Sequence, residues 1–344
     1  MPSRLRVDSR PLPEARPRNR RGVVVMVALA LVVALVTARI VTSEWVPRGV
    51  LPDRVQDLIT LATSLLVESL PFVVLGIALS VVVRVWLPEG LIVRVLPRTP
   101  VLRRAALSLV GMFLPVCECG NVPLARGFVV RGLTVGESMT FLFAAPIINP
   151  ITIVTTHQAF GFDDGILVAR LLGGFVIANL LGWLFSRHPD PSSLLTARFN
   201  AECATDAGPA SSRWSQSVDL FVRESATLLP ALTVGAIVAG AVQTVVPRSV
   251  LIALGSDPLW SVLALMALAL VISVCSNVDA FFILPFASTF MPGSIVAFLI
   301  FGALVDIKML ALLRTTFTVR TLLIVTGIVA LSSAAIGWGV DLVV

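Results

Sequence analysis

Long apolar stretches separated by short polar ones run through the sequence from residue 22 to its end. Nine of them approach or exceed the roughly 20 residues that are needed to cross a hydrocarbon core about 30 Å thick. They lie at residues 22–41, 58–86, 105–130, 134–156, 164–186, 218–246, 259–290, 294–316 and 321–343. This pattern predicts an all-α polytopic membrane protein.

A polar linker divides the apolar segments into two similar units. The order along the chain is a basic N-terminus at 1–21, a first transmembrane span at 22–41, a first unit at 55–186, the linker at 187–217 and a second unit at 218–344. Residues repeat between the units at nearly constant offsets, which are 159 for Pro71 and Pro230, for Gly76 and Gly235 and for Pro88 and Pro247, 158 for Cys117 and Cys275, and 157 for Asn149 and Asp306. A duplicated unit of about four hydrophobic segments explains these offsets.

The distribution of arginine predicts how the segments cross the bilayer. If all nine segments span, Arg126 and Arg131 fall outside the cell, whereas both become cytoplasmic if 105–130 and 259–290 are re-entrant hairpins. Cytoplasmic loops are the ones enriched in Lys and Arg, so the hairpin arrangement is favoured. It gives seven spans, two broken or re-entrant segments and an N-terminus in the cytoplasm. Three spans in each unit make the two repeats inverted.

Composition excludes whole classes of function. Hydrophobic residues make up 57% and charged residues 13% of the 344, with a mean hydropathy of +0.96, whereas soluble domains carry about 25% charged residues. A soluble enzyme is therefore excluded, and the net charge of +6 is interpreted as a topology signal and not as a nucleic-acid-binding surface. No phosphate-loop, dinucleotide-loop or Ser-His-Asp motif is visible, so we expect no enzymatic activity and no cofactor. The single lysine, Lys308, against 25 arginines is interpreted as coding bias without functional content.

The tip of the first hairpin, LPVCECGNVP at residues 114–123, carries the strongest candidate chemistry. Its two prolines and one glycine prevent a continuous helix, which frees backbone groups at membrane depth. Cys117 and Cys119 can converge there in an unwound turn, with Asn121 nearby as a further substrate-binding candidate. Thiolates are soft ligands that suit thiophilic metalloids, Zn²⁺ or Cu⁺. The alternative is that these cysteines are small packing residues.

The second tip, SVCSNVDAFF at residues 273–282, offers a matching set of groups. Across the pseudo-two-fold axis, Cys275 would complete a three-sulfur metal or metalloid site with Cys117 and Cys119. Asn277 is a further substrate-binding candidate in this tip.

Three acidic residues at membrane depth are candidates for proton coupling. Ionisable groups in this position are expensive and usually functional. Glu118 and Asp279 lie in the two tips, and Glu68 lies inside the segment 58–86. The alternative for Glu118 is a tip shallow enough for its carboxylate to reach water.

A pair of broken helices is predicted at matching positions of the two units. Pro146 and Pro150 stand one turn apart in the sequence AAPIINP at residues 144–150, where they interrupt a span and expose carbonyl groups. Asn149 supplies both a donor and an acceptor, and its repeat partner is Asp306. Discontinuous helices at corresponding positions indicate a substrate pathway, so both residues are substrate-binding candidates. The alternative is a packed kink in which Asn149 satisfies a neighbouring backbone group.

Three spaced motifs resemble the signature segments of the bacterial ArsP/YraQ/YcgR-like permease family, over roughly residues 55–343. They are CECGNVP at 117–123, AAPIINP at 144–150 and CSNVDA at 275–280. The glutamate between the first two cysteines makes the chain more similar to the YcgR-like branch than to the Cys-Ser-Cys pattern. The resemblance implies a secondary exporter of trivalent organoarsenicals, with Cys117, Cys119 and Cys275 as the arsenic-facing thiols, and a small membrane protein as a partner subunit.

The sequence thus predicts a multi-pass permease of the bacterial cytoplasmic membrane that exports a soft, thiol-seeking metalloid or metal. Two alternatives stay open: a permease for a divalent metal or a sulfur compound, and a membrane thiol-redox or accessory protein that transports nothing. The lipid bilayer and the soft substrate are the expected partners, and no nucleic acid is expected.

Overall fold

The computed structural model describes residues 53–88, 90–114, 116–162, 165–205, 212–245 and 258–342. Fourteen α-helices lie within these ranges: α1 (Asp53–Val81), α2 (Leu91–Val95), α3 (Pro100–Val110), α4 (Glu118–Val130), α5 (Val135–Ala144), α6 (Pro150–Phe160), α7 (Ile166–Ser186), α8 (Ala197–Thr205), α9 (Arg213–Val245), α10 (Pro258–Ile272), α11 (Asp279–Ile283), α12 (Pro292–Leu304), α13 (Ile307–Leu313) and α14 (Val319–Asp341). No strand occurs among the described residues. The expected all-α architecture is therefore confirmed.

Five helical stretches in the described ranges are long and apolar enough to cross a membrane. They are Arg54–Trp86, Ile166–Ser186, Arg213–Val245, Pro292–Leu313 and Val319–Asp341. Each coincides with a segment expected to span. The first span at 22–41 lies outside the described residues, and the inverted orientation of the two units stays a prediction.

The segments 105–130 and 259–290 are both interrupted at the predicted tips, although Gly120 and Pro123 lie within α4 and the second break contains neither proline nor glycine. The segment 105–130 leaves helical geometry after Phe113 and becomes helical again at Glu118. In 259–290 the helix α10 ends at Ile272, and the next residue, Ser273, has a φ of 52°. A left-handed conformation is strained for a residue with a Cβ, and it turns the chain sharply into the second tip.

The other two breaks lie at repeat-related positions, and in each the following helix begins with a side-chain N-cap. Helix α5 ends at Ala144 and α6 begins at Pro150, after Asn149 has capped it through its side chain. Helix α12 ends at Leu304, and Asp306 caps α13 in the same way. Side-chain oxygens at the N-cap accept from free N–H groups of the first turn, which stabilises a helix that starts inside a membrane protein.

The two longest helices, α1 and α9, pack against each other in the centre, and each holds one short helix closely. A Cβ on Gly76 of α1 would collide with the carbonyl oxygen of Gly120 in α4 and lie 2.8 Å from its carbonyl carbon. A Cβ on the repeat partner, Gly235 of α9, would lie 3.1 Å from the Cα of Lys308 in α13. The two glycines therefore allow α4 and α13 to approach the central pair at backbone distance. Small residues at helix interfaces serve this purpose in membrane proteins.

The described part of the polar linker is folded onto the two units. Residues Leu195 and Phe317 form a β-bridge, flanked by hydrogen bonds from Thr196 N to Thr316 O (2.8 Å) and from Thr318 N to Leu194 O (3.0 Å). The following helix, α8, buries the ring of Phe199 completely. A short apolar element within the polar stretch thus ties the linker to the second unit.

A network of four charged side chains joins the linker to both units. Glu224 of α9 binds Arg84 at 2.7 Å and Arg126 of α4 at 3.0 Å. Glu202 of α8 binds the same two arginines at 3.0 and 2.8 Å. Burial alone would raise the pKa of Glu202, but Arg126 and Arg84 together hold this pKa below its ordinary value. All four side chains are satisfied at hydrogen-bond distance, as buried ions require.

Gly76→Ala should destabilise the protein, by about 1–3 kcal/mol, because the new methyl group forces α4 away from α1. Gly327→Ala is the matched control, since a Cβ there meets no atom within 4 Å. It should be neutral or stabilising by about 1 kcal/mol or less. Thermal unfolding of both purified variants in detergent measures the difference. Equal midpoints would show that the close approach of α1 and α4 is not required.

Candidate functional site

The first tip brings two thiols and a carboxylate together at the start of α4. Cys117 has extended backbone and forms the N-cap, while Cys119 lies in the first helical turn. The sulfur atoms of both cysteines and a carboxylate oxygen of Glu118 all lie within 4.8 Å of one another. Each of the three side chains is at most 1% exposed. A continuous helix would place residues i and i+2 on different faces, so the break is what allows this convergence.

Asn149 fixes the first tip from the neighbouring break. Its Nδ2 donates to the carbonyl of Val116 at 2.8 Å, and its Oδ1 accepts from the N–H of Ile151 at 2.9 Å. The side chain is fully buried. Because both ends of the amide are engaged within the protein, its geometry favours a positioning role over direct substrate contact.

The second tip closes on the same carboxylate. Three donors converge on Oε2 of Glu118: the Cys275 thiol at 3.5 Å, the Ser276 N–H at 3.4 Å and the Ser276 hydroxyl at 3.0 Å. The Cys117 thiol interacts with the thiols of both Cys119 and Cys275. The structure therefore brings the three predicted thiols together, although they come from different units.

An ion pair holds the second tip in place. Arg170 of α7 binds both carboxylate oxygens of Asp279, at 3.0 and 2.6 Å, and it also donates to the Ser276 carbonyl at 3.4 Å. Thr156 accepts from the same guanidinium at 2.7 Å. Bidentate pairs of this kind fix orientation as well as charge. Asp279, expected to couple protons, is thus paired with an arginine from the other unit.

Asn277 is anchored by the broken helix of the first unit. Its Oδ1 accepts from the Thr152 hydroxyl at 3.2 Å, and that hydroxyl also donates to the Pro146 carbonyl at 3.0 Å. The interrupted helix of the first unit therefore holds both tips. Asn149 binds the first tip at Val116, and Thr152 binds the second tip at Asn277.

Lys308, which composition alone did not mark as a candidate, lies at this site. The side chain is fully buried, with Nζ 3.8 Å from Oε1 of Glu118 and 3.9 Å from Oδ2 of Asp306. Asp306 itself caps α13 by accepting from Met309 N at 2.6 Å through its other oxygen. A lone lysine inside an apolar segment, two residues from an aspartate, was the sequence signal that pointed here.

Glu68 completes the charged surroundings from the central helix α1. Its carboxylate faces the backbone N–H of Cys275 and lies within electrostatic range of Lys308 and Glu118. Unlike the other acidic groups of the site, it is only half-buried. The structure thus brings all three predicted coupling residues around one centre.

Five buried polar atoms of this cluster have no hydrogen-bond partner within the described residues. They are Glu118 Oε1, Asn121 Oδ1, Asn121 Nδ2, Asp306 Oδ2 and Lys308 Nζ. Buried polar groups are nearly always satisfied, and exceptions mark functional positions or bound molecules. The arrangement combines soft donors, the three thiols, with hard donors and acceptors, and can hold a small species that offers both kinds of partner.

Sequence reasoning found the thiols and carboxylates but missed their partners. Arg170 lies more than 100 positions from Asp279 along the chain, and Ser276 and Lys308 are still farther from Glu118. Arg170 and Lys308 did carry a signal, because a cation within an apolar span needs a buried counter-charge. Ser276 carried none beyond its place between two candidate residues.

Several known proteins are similar in sequence to this chain. The family ArsP_1, described as "Predicted permease", matches residues 54–340. The UPF0718 protein YcgR of Bacillus subtilis is 34% identical over 271 residues, which cover 78% of this chain and 92% of that protein. A Streptococcus mutans protein named as a putative two-component membrane permease complex subunit is 32% identical over 278 residues, 79% of this chain and 91% of its own. The UPF0718 protein YraQ of Escherichia coli is 24% identical over 274 residues, 77% of this chain and 75% of its own. No solved structure matches the chain.

Asp279→Asn should expose Cys275, because the substitution leaves Arg170 buried without its counter-charge and loosens the second tip. We expect alkylation of Cys275 by N-ethylmaleimide to accelerate by about tenfold, the equivalent of about 1.4 kcal/mol in tip opening. The measurement uses a Cys117→Ser/Cys119→Ser/Cys203→Ser background, in which Cys275 is the remaining thiol. Asp190→Asn, in an exposed turn, is the matched control. An unchanged rate would show that the ion pair does not hold the tip.

Proposed function

Since the chain belongs to the ArsP_1 family of permeases, we propose that it is a secondary permease which exports a soft, thiol-seeking species. A trivalent arsenical such as methylarsenite is the leading substrate. The proposal rests on one observation: thiols from both units, Cys117, Cys119 and Cys275, meet at a buried carboxylate.

Thiol convergence across the two units favours a substrate role over packing. Isolated buried cysteines behave as small hydrophobic residues. Here the sulfurs instead lie in a buried cluster with the charged groups of Glu118 and Lys308, which is not the apolar environment that a packing residue favours. A site at the junction of two repeats is also where secondary transporters bind their cargo, because relative movement of the units opens it to either side.

Ion coupling is proposed to use the carboxylates that surround this site. Glu118 is the strongest candidate, because one of its oxygens receives the second tip and the other makes no hydrogen bond within the described residues. Asp279 is held by both terminal nitrogens of Arg170, and Glu68 is the half-buried member that lies nearest to the surface.

The proposed setting is the bacterial cytoplasmic membrane, with the N-terminus in the cytoplasm. A small membrane partner subunit is part of the proposal. The support is that a relative with 32% identity over 91% of its length is named as a subunit of a two-component permease complex.

Transport of methylarsenite into energised everted membrane vesicles tests the proposal. Cys117→Ser/Cys119→Ser should lower the initial transport rate by about tenfold or more, because two thiol ligands of the arsenic atom are lost. Cys203→Ser is the matched control, since this half-buried cysteine lies in the linker helix α8, away from the two tips. It should leave the rate unchanged.

Other outcomes distinguish the alternatives. Thiol-dependent movement of zinc in place of methylarsenite would identify a divalent-metal permease, and movement of neither would reject the arsenical. A thiol-redox protein should change the oxidation state of Cys117 and Cys119 during turnover. A ligand set should instead stay reduced and be protected from alkylation by its cargo.

A further inference from the structure

Lys308 differs from the buried arginines for which the structure records an acidic partner. The terminal nitrogens of Arg84, Arg126 and Arg170 approach their carboxylates to 2.7, 2.8 and 2.6 Å. Lys308 stands 3.8 and 3.9 Å from its two acidic neighbours and makes no hydrogen bond within the described residues. An ammonium group carries three donors, so all three are available.

The position of Lys308 on its helix gives no structural reason for a lysine. It is the second residue of α13, where the helix dipole favours anions and disfavours cations. The side chain is also fully buried, which is costly for a charge without hydrogen-bonded partners. The absence of a side chain at Gly235 allows the backbone at Lys308 to approach α9 closely.

The neighbours of Lys308 define what its donors can bind. The ammonium lies within electrostatic range of the Cys119 and Cys275 sulfurs as well as the two carboxylates. Asn121, one turn after Glu118 on α4, has a free donor and a free acceptor within the described residues, and α4 packs against α13. A ligand gripped by the thiols would therefore present its remaining groups to an ammonium and an amide.

We propose that Lys308 is a substrate-contacting residue that binds an oxygen acceptor of the cargo, beside the soft centre held by the thiols. This inference rests on the proposed function and deepens it. It specifies the cargo as a thiophilic centre that carries hydroxyl groups, and it makes Lys308 the residue that selects such a species over a bare soft cation.

Methylarsenite, CH₃As(OH)₂, illustrates the chemistry. One of the three thiols replaces one hydroxyl: the As–S bond forms, the As–O bond breaks, and the thiol proton leaves with the hydroxide as water. The other two thiols contact arsenic without displacing its second hydroxyl. The second hydroxyl stays on arsenic, and its oxygen accepts a hydrogen bond from Lys308. A bare cation such as Cd²⁺ offers no acceptor, and the ammonium repels it.

Lys308→Met should therefore change selectivity. The half-saturation concentration for methylarsenite in energised everted vesicles should rise about tenfold, the scale of one lost charge-assisted hydrogen bond. The half-saturation concentration for Cd²⁺ should stay equal or fall. The substitution removes the repulsion between the ammonium and the cation, and it leaves the carboxylates of Glu118 and Asp306 without a positive neighbour. Arg314→Met, which removes an exposed cation from the end of the same helix, is the matched control and should alter neither value.

A charge-balanced variant separates selectivity from folding. Lys308→Met/Asp306→Asn removes one charge of each sign and keeps an oxygen that can cap α13, with Asp306→Asn alone as its reference. It should show the same shift in the methylarsenite-to-Cd²⁺ ratio. An unchanged ratio in both lysine variants, or an equal loss of both cargoes, would overturn the role of Lys308. Methylarsenite transport that survives loss of Cys117 and Cys119 would instead overturn the proposed function.

Discussion

The contact between the two broken segments at the carboxylate of Glu118 is the interaction on which the rest of this structure depends. Glu118 begins the first helix after one broken segment, and one of its oxygens receives a thiol, a hydroxyl and a backbone N–H from the other broken segment. Neither tip can satisfy its freed backbone groups alone, since non-helical chain at membrane depth needs protein partners. The two units are thus joined at their non-helical tips. Asn149 and Arg170 then hold one tip each in the geometry that this contact requires.

The buried charges fall into two classes that differ in how completely they are satisfied. Around Glu224 and Glu202, two arginines make short contacts from several elements, and this closed network fastens the linker to both units. Around Lys308, the charges approach one another without hydrogen bonds, and several polar atoms lack partners within the described residues. Desolvation penalises both classes, but only the first recovers that energy within the protein. The second class contains the unpartnered atoms to which we assign binding of the cargo.

Sequence patterns predicted the local features of this fold well because those features have local causes. Pro146 and Pro150 interrupt a helix through ring geometry and a missing N–H, so this break follows from the residues themselves. The pairing of Arg170 with Asp279, 109 positions apart, has no local cause and was not predicted. The packing of the linker has no local cause either, because the burial of Phe199 within a mostly polar stretch depends on partners elsewhere. The surroundings of Lys308 likewise depend on Glu118, 190 positions away along the chain, and composition does not reveal them.

Helix α4 connects the two classes of buried charge. It carries Glu118 at its first position and Arg126 eight residues later, about 12 Å along the axis at 1.5 Å per residue. Its start is therefore held by the second tip, and its later turns by Glu202 and Glu224. Gly120 places the backbone of α4 directly against α1 between these two anchors. Because these contacts lie on one short helix, a displacement of its start would be transmitted along the helix to its contacts with the linker. The proposed substrate site and the linker are in this way connected through one short helix.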